Sequence, residues 1–203
     1  MTDITVVQGD IPADIRWPRM IAVDTETTGL DIVHDRLCLV QIGDGKGHAW
    51  LVQIKKGGKY PNLKKLLTNP KILKIFHYAR FDVAKLKVAF DIDVNPVYCT
   101  KIAHKLVWPN KKHSLKNLCE DMLNIVLDKE QQCSDWTRAN LTEEQIRYAA
   151  NDVMYLHALK ALLDKKLKEK KYELLAASCF QFLNTRATLD ILGYEDPDLF
   201  SHH

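Results

Sequence analysis

An apolar run that leads directly into two alternating carboxylates constrains this chain most. Residues 20–23 (MIAV) are typical of a buried β-strand, and Asp24 and Glu26 follow at once. Because successive side chains of a strand point to opposite faces, these two carboxylates project to the same side. Close carboxylates repel each other and resist desolvation unless a cation holds them. The pattern favours a site for a hard divalent ion, Mg²⁺ or Mn²⁺, although solvated strand ends also carry Asp-x-Glu.

A second carboxylate context follows another predicted strand. Residues 72–76 are rich in apolar side chains and predict a buried strand, and residues 80–90 are typical of a helix. Asp82 therefore falls near the first turn of that helix, where the helix dipole favours a negative charge. An aspartate in this position is also common as a simple cap or dipole partner, so the position alone leaves both interpretations open.

A late helix carries the last carboxylate together with a tyrosine. The chain is strongly helical from about Thr142, which is a good N-cap, and Gln145 occupies the capping-box position. Tyr148 and Asp152 are four residues apart, so they lie one turn apart on the same side of this helix.

In their order along the chain, these residues resemble a known nuclease superfamily. The four carboxylates, with Tyr148 one turn before the last, resemble the tyrosine branch of the Asp-Glu-Asp-Asp 3′-5′ exonucleases. Arg147 stands where the histidine branch would have its catalytic histidine. Within the tyrosine branch, residues 134–136 (SDW) upstream of Tyr148 resemble ribonuclease D. Several segments further resemble the NrnC-type nanoRNases, RNase D-like proteins of alphaproteobacteria: residues 35–42, 99–103, 131–136 and 179–200.

The resemblance implies a fold, an activity and an assembly. It implies the ribonuclease H-like (exonuclease) fold and a 3′-5′ exoribonuclease that releases nucleoside 5′-monophosphates from very short RNAs, especially dinucleotides. It also implies a homo-oligomeric ring, an octamer. The alternative is a broader 3′-5′ exonuclease that acts on longer RNA or on the 3′ ends of single- or double-stranded DNA. A degenerate domain that only binds nucleic acid would usually have lost a carboxylate, and this chain has all four.

For the chemistry, our hypothesis is a centre with two divalent ions, Mg²⁺ or Mn²⁺. Asp24, Glu26 and Asp152 would hold the first ion, with Asp24 bridging to the second. Asp82 would help to position the second ion through its water shell. Tyr148 would orient the attacking water, because an unperturbed phenol with a pKa of about 10 is a poor general base at neutral pH.

Five further residues are candidates for substrate binding. The backbone at Thr27 and Gly29 could approach the terminal nucleotide, because glycine permits close approach. Leu30 resembles the wedge that the family inserts between the last two bases, with ordinary core packing as the other interpretation. His77 could contact the sugar or phosphate, or serve as hydrogen-bonded scaffolding. Arg80 could hold a phosphate, although nothing in its spacing selects it.

The pattern of elements predicts an α/β fold. After an edge strand at residues 4–8, a strand at 20–26 and a hairpin of strands at 37–43 and 47–54 form an antiparallel group, and helices then alternate with strands. This order implies a mixed sheet of five or six strands flanked by helices.

The size and composition fit one domain that works in a reducing compartment. We expect a single exonuclease domain over the 203 residues, with a tail from about residue 179 that serves oligomer contacts. The net charge of +3 is compatible with a short substrate, because few phosphates need neutralising. The five cysteines follow no Cys-x-x-Cys pattern and are expected to be free thiols, mostly in the core. No apolar run approaches a membrane span, so we expect a cytoplasmic protein with no membrane partner.

Overall fold

A mixed sheet lies at the centre of the fold. The computed structural model describes residues 3–127, 134–195 and 197–202. Within these residues the sheet contains six strands: β1 (Asp3–Gln8), β2 (Met20–Thr27), β3 (Leu37–Gly43), β4 (His48–Gln53), β5 (Leu73–Phe76) and β6 (Val97–Cys99). Their order across the sheet is β1-β4-β3-β2-β5-β6.

The same described residues form eight helices around the sheet. They are α1 (Pro61–Leu67), α2 (Ala79–Phe90), α3 (Thr100–Val107), α4 (Leu115–Leu123), α5 (Glu143–Met154), α6 (Leu156–Lys170), α7 (Glu173–Gln181) and α8 (Leu183–Ile191). The predicted elements are confirmed, and their ends differ from the predicted ones by only a few residues.

The strand directions confirm the predicted mixed sheet. Strands β2, β3 and β4 are antiparallel neighbours, whereas β5 lies parallel to β2 and β6 parallel to β5. Strand β1 is an edge strand, as predicted, and pairs with β4 in parallel. Parallel neighbours need a crossover, and the long path from β1 through β2 and β3 supplies it.

Alternation along β2 divides the core between the two faces of the sheet. Ile21 and Val23 pack in one cluster with buried residues of α2 and α8. Ala22, between them, packs in a second cluster with buried residues of α3, α5 and α6. The sheet is therefore covered on both sides, and the carboxyl end of β2 opens between α2 and α5.

The start of α5 has the capping box that the sequence predicts. The Thr142 hydroxyl oxygen accepts a hydrogen bond from the Gln145 backbone N–H at 3.2 Å, and the Gln145 side-chain oxygen accepts from the Thr142 N–H at 2.9 Å. Two amides that the helix itself cannot pair are thereby satisfied. The cap fixes where α5 begins, and hence which residues face the sheet.

The described cysteines agree with the expectation of free thiols, mostly in the core. Cys38, Cys99, Cys119 and Cys179 are free thiols, and the first three are buried. Cys133, together with the rest of segment 131–133 of the family resemblance, lies outside the described residues. Across residues 3–127, 134–195 and 197–202, none of the helices has the length and apolar character needed to cross a membrane.

Candidate active site

Strand β2 places the first two carboxylates at the open end of the sheet. Asp24 lies opposite Gln41 of β3, and the Gln41 side-chain N–H donates to Asp24 Oδ2 at 3.2 Å. The pairing of β2 with β3 shifts register between Glu26 and Thr27. A local irregularity of this kind bends a strand and re-aims its side chains, which suits the end of a strand beside a site.

Helix α5 brings the last carboxylate to the same place. One carboxylate oxygen from each of Asp24, Glu26 and Asp152 lies within 4.8 Å of the others. Trp136 and Tyr148 lie beside this trio, with their ring centroids 6.0 Å apart. Three carboxylate oxygens at such separations form the kind of donor set that hard divalent cations prefer.

Asp82 approaches from the other side of β2. Its carboxylate oxygen Oδ1 accepts a hydrogen bond from Thr25 Oγ1 at 2.7 Å, and the side chain is buried. Because side chains alternate along a strand, Thr25 points away from the face that Asp24 and Glu26 occupy. Thr25 therefore holds Asp82 beside the trio.

The acidic groups are electrostatically strained in the protein alone. Burial raises the pKa of Asp24 well above its usual range, and the charges of Asp82, Asp152 and Glu26 raise it further. Burial and the charges of Asp152 and Asp82 raise the pKa of Glu26 to about 9. Burial raises the pKa of Asp82 to about 7, against the hydrogen bond from Thr25. A divalent cation would relieve this repulsion, so the donor set fits a metal.

Tyr148 keeps its proton in this environment. Burial raises the pKa of its phenol above the usual value, and the negative charges of Asp152, Glu26 and Asp24 raise it further. A neutral phenol can donate a hydrogen bond but cannot act as a base. The orienting role that the sequence predicts for Tyr148 needs this neutral form.

These groups open into a cavity of about 550 Å³. All five predicted catalytic residues line it. Three of the predicted substrate-binding residues, Thr27, Gly29 and Leu30, form part of its wall, and His77 forms another part. Leu30 is 85% exposed, so the alternative that it is a core residue is wrong.

His77 is tied into the scaffold as well as lining the cavity. Its ring nitrogen Nδ1 lies 2.9 Å from Thr100 Oγ1, and Nε2 lies 3.0 Å from the backbone oxygen of His113. The imidazole thus joins the end of β5 to α3 and to the segment before α4. Both interpretations from the sequence, substrate contact and scaffolding, are compatible with this position.

Arg80, a candidate for phosphate binding, pairs with helix α8 instead of lining the cavity. Its guanidinium donates from Nε to Asp190 Oδ2 at 2.7 Å and from Nη2 to Asp190 Oδ1 at 2.8 Å. The residues that line the cavity do not include it. Arg80 therefore joins α2 to α8, and its phosphate role has no support in this geometry.

Sequence reasoning missed several residues of the cavity wall. Ser114 and Lys116 reach it from the start of α4, where Ser114 is the N-cap and accepts a hydrogen bond from the Asn117 N–H. Tyr78 and Phe81 flank the start of α2. Their only local signal is closeness to His77 and Asp82 in sequence, and for Ser114 a helix-cap pattern that carries no functional information.

Comparison with known proteins places this geometry in a family. A sequence model described as 3′-5′ exonuclease matches residues 13–168. The chain belongs to the 3′-5′ exonuclease family. It is 32% identical to ribonuclease D of Pseudomonas paraeruginosa over 152 residues, which are 74% of this chain and 40% of that protein. The chain thus spans about two fifths of the length of this relative.

Solved structures resemble the whole chain. Brucella melitensis NrnC bound to pGG is 44% identical, with a TM-score of 0.95 over 100% of both chains. Brucella melitensis NrnC with bound Mg²⁺ is 43% identical, with a TM-score of 0.93 over 100% of both chains. Escherichia coli RNase D is 26% identical, with a TM-score of 0.75 over 83% of this chain and 45% of that one. The predicted exonuclease fold is confirmed.

Proposed function

We propose that this protein is a metal-dependent 3′-5′ exoribonuclease that releases nucleoside 5′-monophosphates from very short RNAs, dinucleotides above all. The observation that carries the proposal is the convergence of Asp24, Glu26 and Asp152 within 4.8 Å. Asp82 and Tyr148 line the same open cavity. The match of residues 13–168 to a family model described as 3′-5′ exonuclease supports the same activity.

Asp24, Glu26 and Asp152 would hold divalent ions, Mg²⁺ or Mn²⁺, and Asp82 would help to position them through their water shell. We propose two ions for each site. When bound, such ions activate water and stabilise the charge on the attacking and leaving oxygens of a phosphodiester. The charges of Asp82, Asp152 and Glu26 all act on Asp24, and those of Asp152 and Asp82 act on Glu26, so the four groups form one acidic cluster. As the sequence suggests, Asp24 would be the carboxylate shared between the ions.

The other side chains of the site position the reactants. Tyr148, which stays protonated, would donate its O–H to the attacking water and align it with the phosphorus atom. Thr25 restrains the Asp82 carboxylate through their 2.7 Å hydrogen bond. With these groups fixed before substrate arrives, little reorganisation is needed during the reaction.

The cavity wall supports a short, anionic substrate. Lys101 and Lys116 contribute positive charge to the lining, and Ser114 contributes a hydroxyl group. These groups suit the few phosphates of a dinucleotide better than the long backbone of a duplex. Brucella melitensis NrnC is bound to pGG in its solved structure, which supports short RNA as the substrate class here too.

We also propose that the tail from about residue 179 takes part in a homo-octameric ring. Phe182, Leu199 and Phe200 are 39%, 52% and 70% exposed, and the rings of Phe182 and Phe200 lie 5.8 Å apart. Adjacent exposed apolar side chains mark surfaces that associate. Leu199→Ser with Phe200→Ser should lower the mass measured by light scattering, whereas Val126→Ser, at a 75% exposed site elsewhere, should not. An unchanged mass for the double variant would exclude these two side chains from the interface.

One assay tests the activity. The protein is incubated with an end-labelled RNA dinucleotide, a seven-residue RNA and duplex DNA, each with Mn²⁺ or with a chelator. We expect cleavage from the 3′ end, fastest for the dinucleotide, and none with the chelator. Cutting that resists the chelator would overturn the metal-dependent mechanism. Equal rates on the three substrates would favour the broader exonuclease that acts on longer RNA and on DNA.

A further inference from the structure

The loop that joins β2 to β3 (residues 28–36, the β2–β3 loop) carries Leu30 to the cavity. Leu30 is 85% exposed and lines the cavity wall. An exposed leucine on a surface loop can hold one position relative to the carboxylates only if the loop beneath it is rigid. The contacts that fix the β2–β3 loop therefore determine where Leu30 lies.

Part of the rigidity comes from inside the loop. Asp35 Oδ1 accepts a hydrogen bond from Thr28 Oγ1 at 2.9 Å, and Asp35 Oδ2 accepts from the Asp31 backbone N–H at 2.8 Å. Thr28 Oγ1 in turn accepts from the Arg36 N–H at 2.9 Å. A Cβ atom on Gly29 would overlap the Asp35 carboxylate, so only glycine permits this approach.

The remaining rigidity of the β2–β3 loop comes from the buried ammonium group of Lys85. Lys85 is 1% exposed, and its Nζ donates to the backbone oxygens of Asp31 at 3.3 Å and Ile32 at 3.1 Å and to that of Asp35. An ammonium has three N–H donors, and three carbonyl oxygens of one loop converge on them. Burial of a charge is costly unless it is fully hydrogen-bonded, so the loop and the lysine hold each other in place.

We call the three hydrogen bonds from Lys85 Nζ to the β2–β3 loop the Lys85 clamp. Helix α2 joins this clamp to the catalytic centre. Lys85 and Asp82 are three residues apart and therefore lie on the same side of α2. Both are buried, and Asp82 is held by Thr25 of β2. One rigid helix thus sets the position of the β2–β3 loop and of a carboxylate at the same time.

We propose that Lys85 is a positioning residue that fixes the β2–β3 loop, and with it Leu30, relative to the catalytic carboxylates. This inference rests on the proposed function, because its consequence is the alignment of the scissile phosphodiester with the site. A displacement of about 1 Å at a reacting centre can cost about 100-fold in rate. Loss of the clamp should therefore reduce turnover without removing any group that touches the reaction.

The chain offers a matched control for this clamp. Lys74 on β5 is also fully buried, and its Nζ donates to the backbone oxygens of Asn69 at 2.9 Å, Ile72 at 2.8 Å and Asn95 at 2.5 Å. It does not line the cavity. Lys85→Met and Lys74→Met therefore remove the same kind of interaction, one beneath the β2–β3 loop and one away from it.

The test measures kcat/KM for a 5′-phosphorylated RNA dinucleotide, Mn²⁺ affinity, and hydrogen exchange of amides 28–36. Lys85→Met should lower kcat/KM by about 10- to 100-fold, leave Mn²⁺ affinity unchanged and speed exchange in the loop. Lys74→Met should change kcat/KM by less than about twofold and leave exchange in the loop unaltered. In a Leu30→Ala background, the loss caused by Lys85→Met should shrink at least threefold, because the two changes act through one loop.

Three results would overturn the inference. The first is a Lys85→Met variant whose kcat/KM matches that of Lys74→Met while the wild type is active. The second is a full, additive loss in the Leu30→Ala background. If Lys85→Met does not fold, Asp35→Asn serves instead, because it weakens the hydrogen bonds inside the same loop. The third result is an Asp35→Asn variant whose hydrogen exchange in the loop and whose kcat/KM both equal those of the wild type. A wild type that does not cleave the dinucleotide refutes the proposed function itself.

Discussion

Helix α2 serves two regions that hold buried negative charge in opposite ways. Asp82, in its first turn, lies in the acidic centre, where burial raises its pKa to about 7. Arg80, two residues earlier, binds Asp190 of α8, whose side chain is fully buried. Burial works to raise the pKa of Asp190, but hydrogen bonds from Arg80 and Arg186 outweigh it, and the pKa lies below its usual value.

The opposite pKa shifts of Asp82 and Asp190 distinguish a candidate metal site from a structural ion pair. Asp190 receives bonds from two guanidinium groups, and Arg186 also binds Asp198 Oδ2 at 2.5 Å, so this charge network satisfies itself. The acidic centre instead collects like charges whose repulsion a bound divalent cation would relieve. Raised carboxyl pKa values in an open cavity mark the acidic centre as a candidate functional site, whereas the paired cluster joins two helices.

The largest effect should come from removing one charge of the acidic centre. Asp24→Asn keeps the side-chain shape and removes both a metal ligand and a source of repulsion. We expect kcat on an RNA dinucleotide to fall by about 1,000-fold or more, with a melting temperature, measured in chelator, that is equal to or higher than that of the wild type. Turnover close to the wild-type value would remove Asp24 from the mechanism.

The opposite outcome is expected for the paired cluster. Asp190→Ala leaves two arginines without their buried partner, and breaking a buried pair costs about 3–5 kcal/mol. For a chain of this size we expect a melting temperature lower by about 10 °C. The control is Glu169→Ala, which removes an exposed ion pair with Lys166 and should lower the free energy of unfolding by less than about 1 kcal/mol. Equal effects of the two variants would show that the Arg80–Asp190 pair does not stabilise the fold.

Stability should depend on pH because of the acidic centre. Glu26 and Asp82, with pKa values of about 9 and about 7, bind protons more tightly in the folded chain than in the unfolded one. Stability in chelator should therefore fall as pH rises from about 5 to about 9. Chemical denaturation at several pH values measures this slope, which Mg²⁺ should flatten. A metal-free stability that rises over this range would contradict the assigned pKa shifts.

The smallest expected effect tests Tyr148. Tyr148→Phe removes a hydrogen-bond donor and leaves the packing of the ring against Trp136 in place. We expect kcat to fall by about 10- to 100-fold, a loss smaller than that of Asp24→Asn, with Mn²⁺ affinity unchanged. A loss as large as that of Asp24→Asn would assign the phenol a larger role than orienting water.

Local periodicity was sufficient to predict which neighbouring residues of the acidic centre share one side of a strand or helix. Alternation on β2 places Asp24 and Glu26 on one side, and the helical spacing of α5 places Asp152 with Tyr148. Each of these two placements depends only on neighbouring residues. The family resemblance was needed to predict that the strand and the helix contribute to one site. The capping box at Thr142 was predictable for the same reason.

Contacts between distant parts of the chain were not predictable in this way. Arg80 and Asp190 are 110 residues apart, and nothing near either residue indicates the other. The clamp of Lys85 on the β2–β3 loop spans about 50 residues and uses backbone oxygens, which every residue has. The parallel pairing of β1 with β4 likewise depends on the packed sheet rather than on either strand's sequence.

Mn²⁺ titration followed by electron paramagnetic resonance tests directly whether the acidic centre binds divalent metal. We expect the wild-type protein to bind two Mn²⁺ ions per chain, Asp24→Asn to lose this binding, and Asp190→Asn to retain it. Equal Mn²⁺ binding by the wild type and Asp24→Asn, or none by either, would show that the acidic centre is not a metal site.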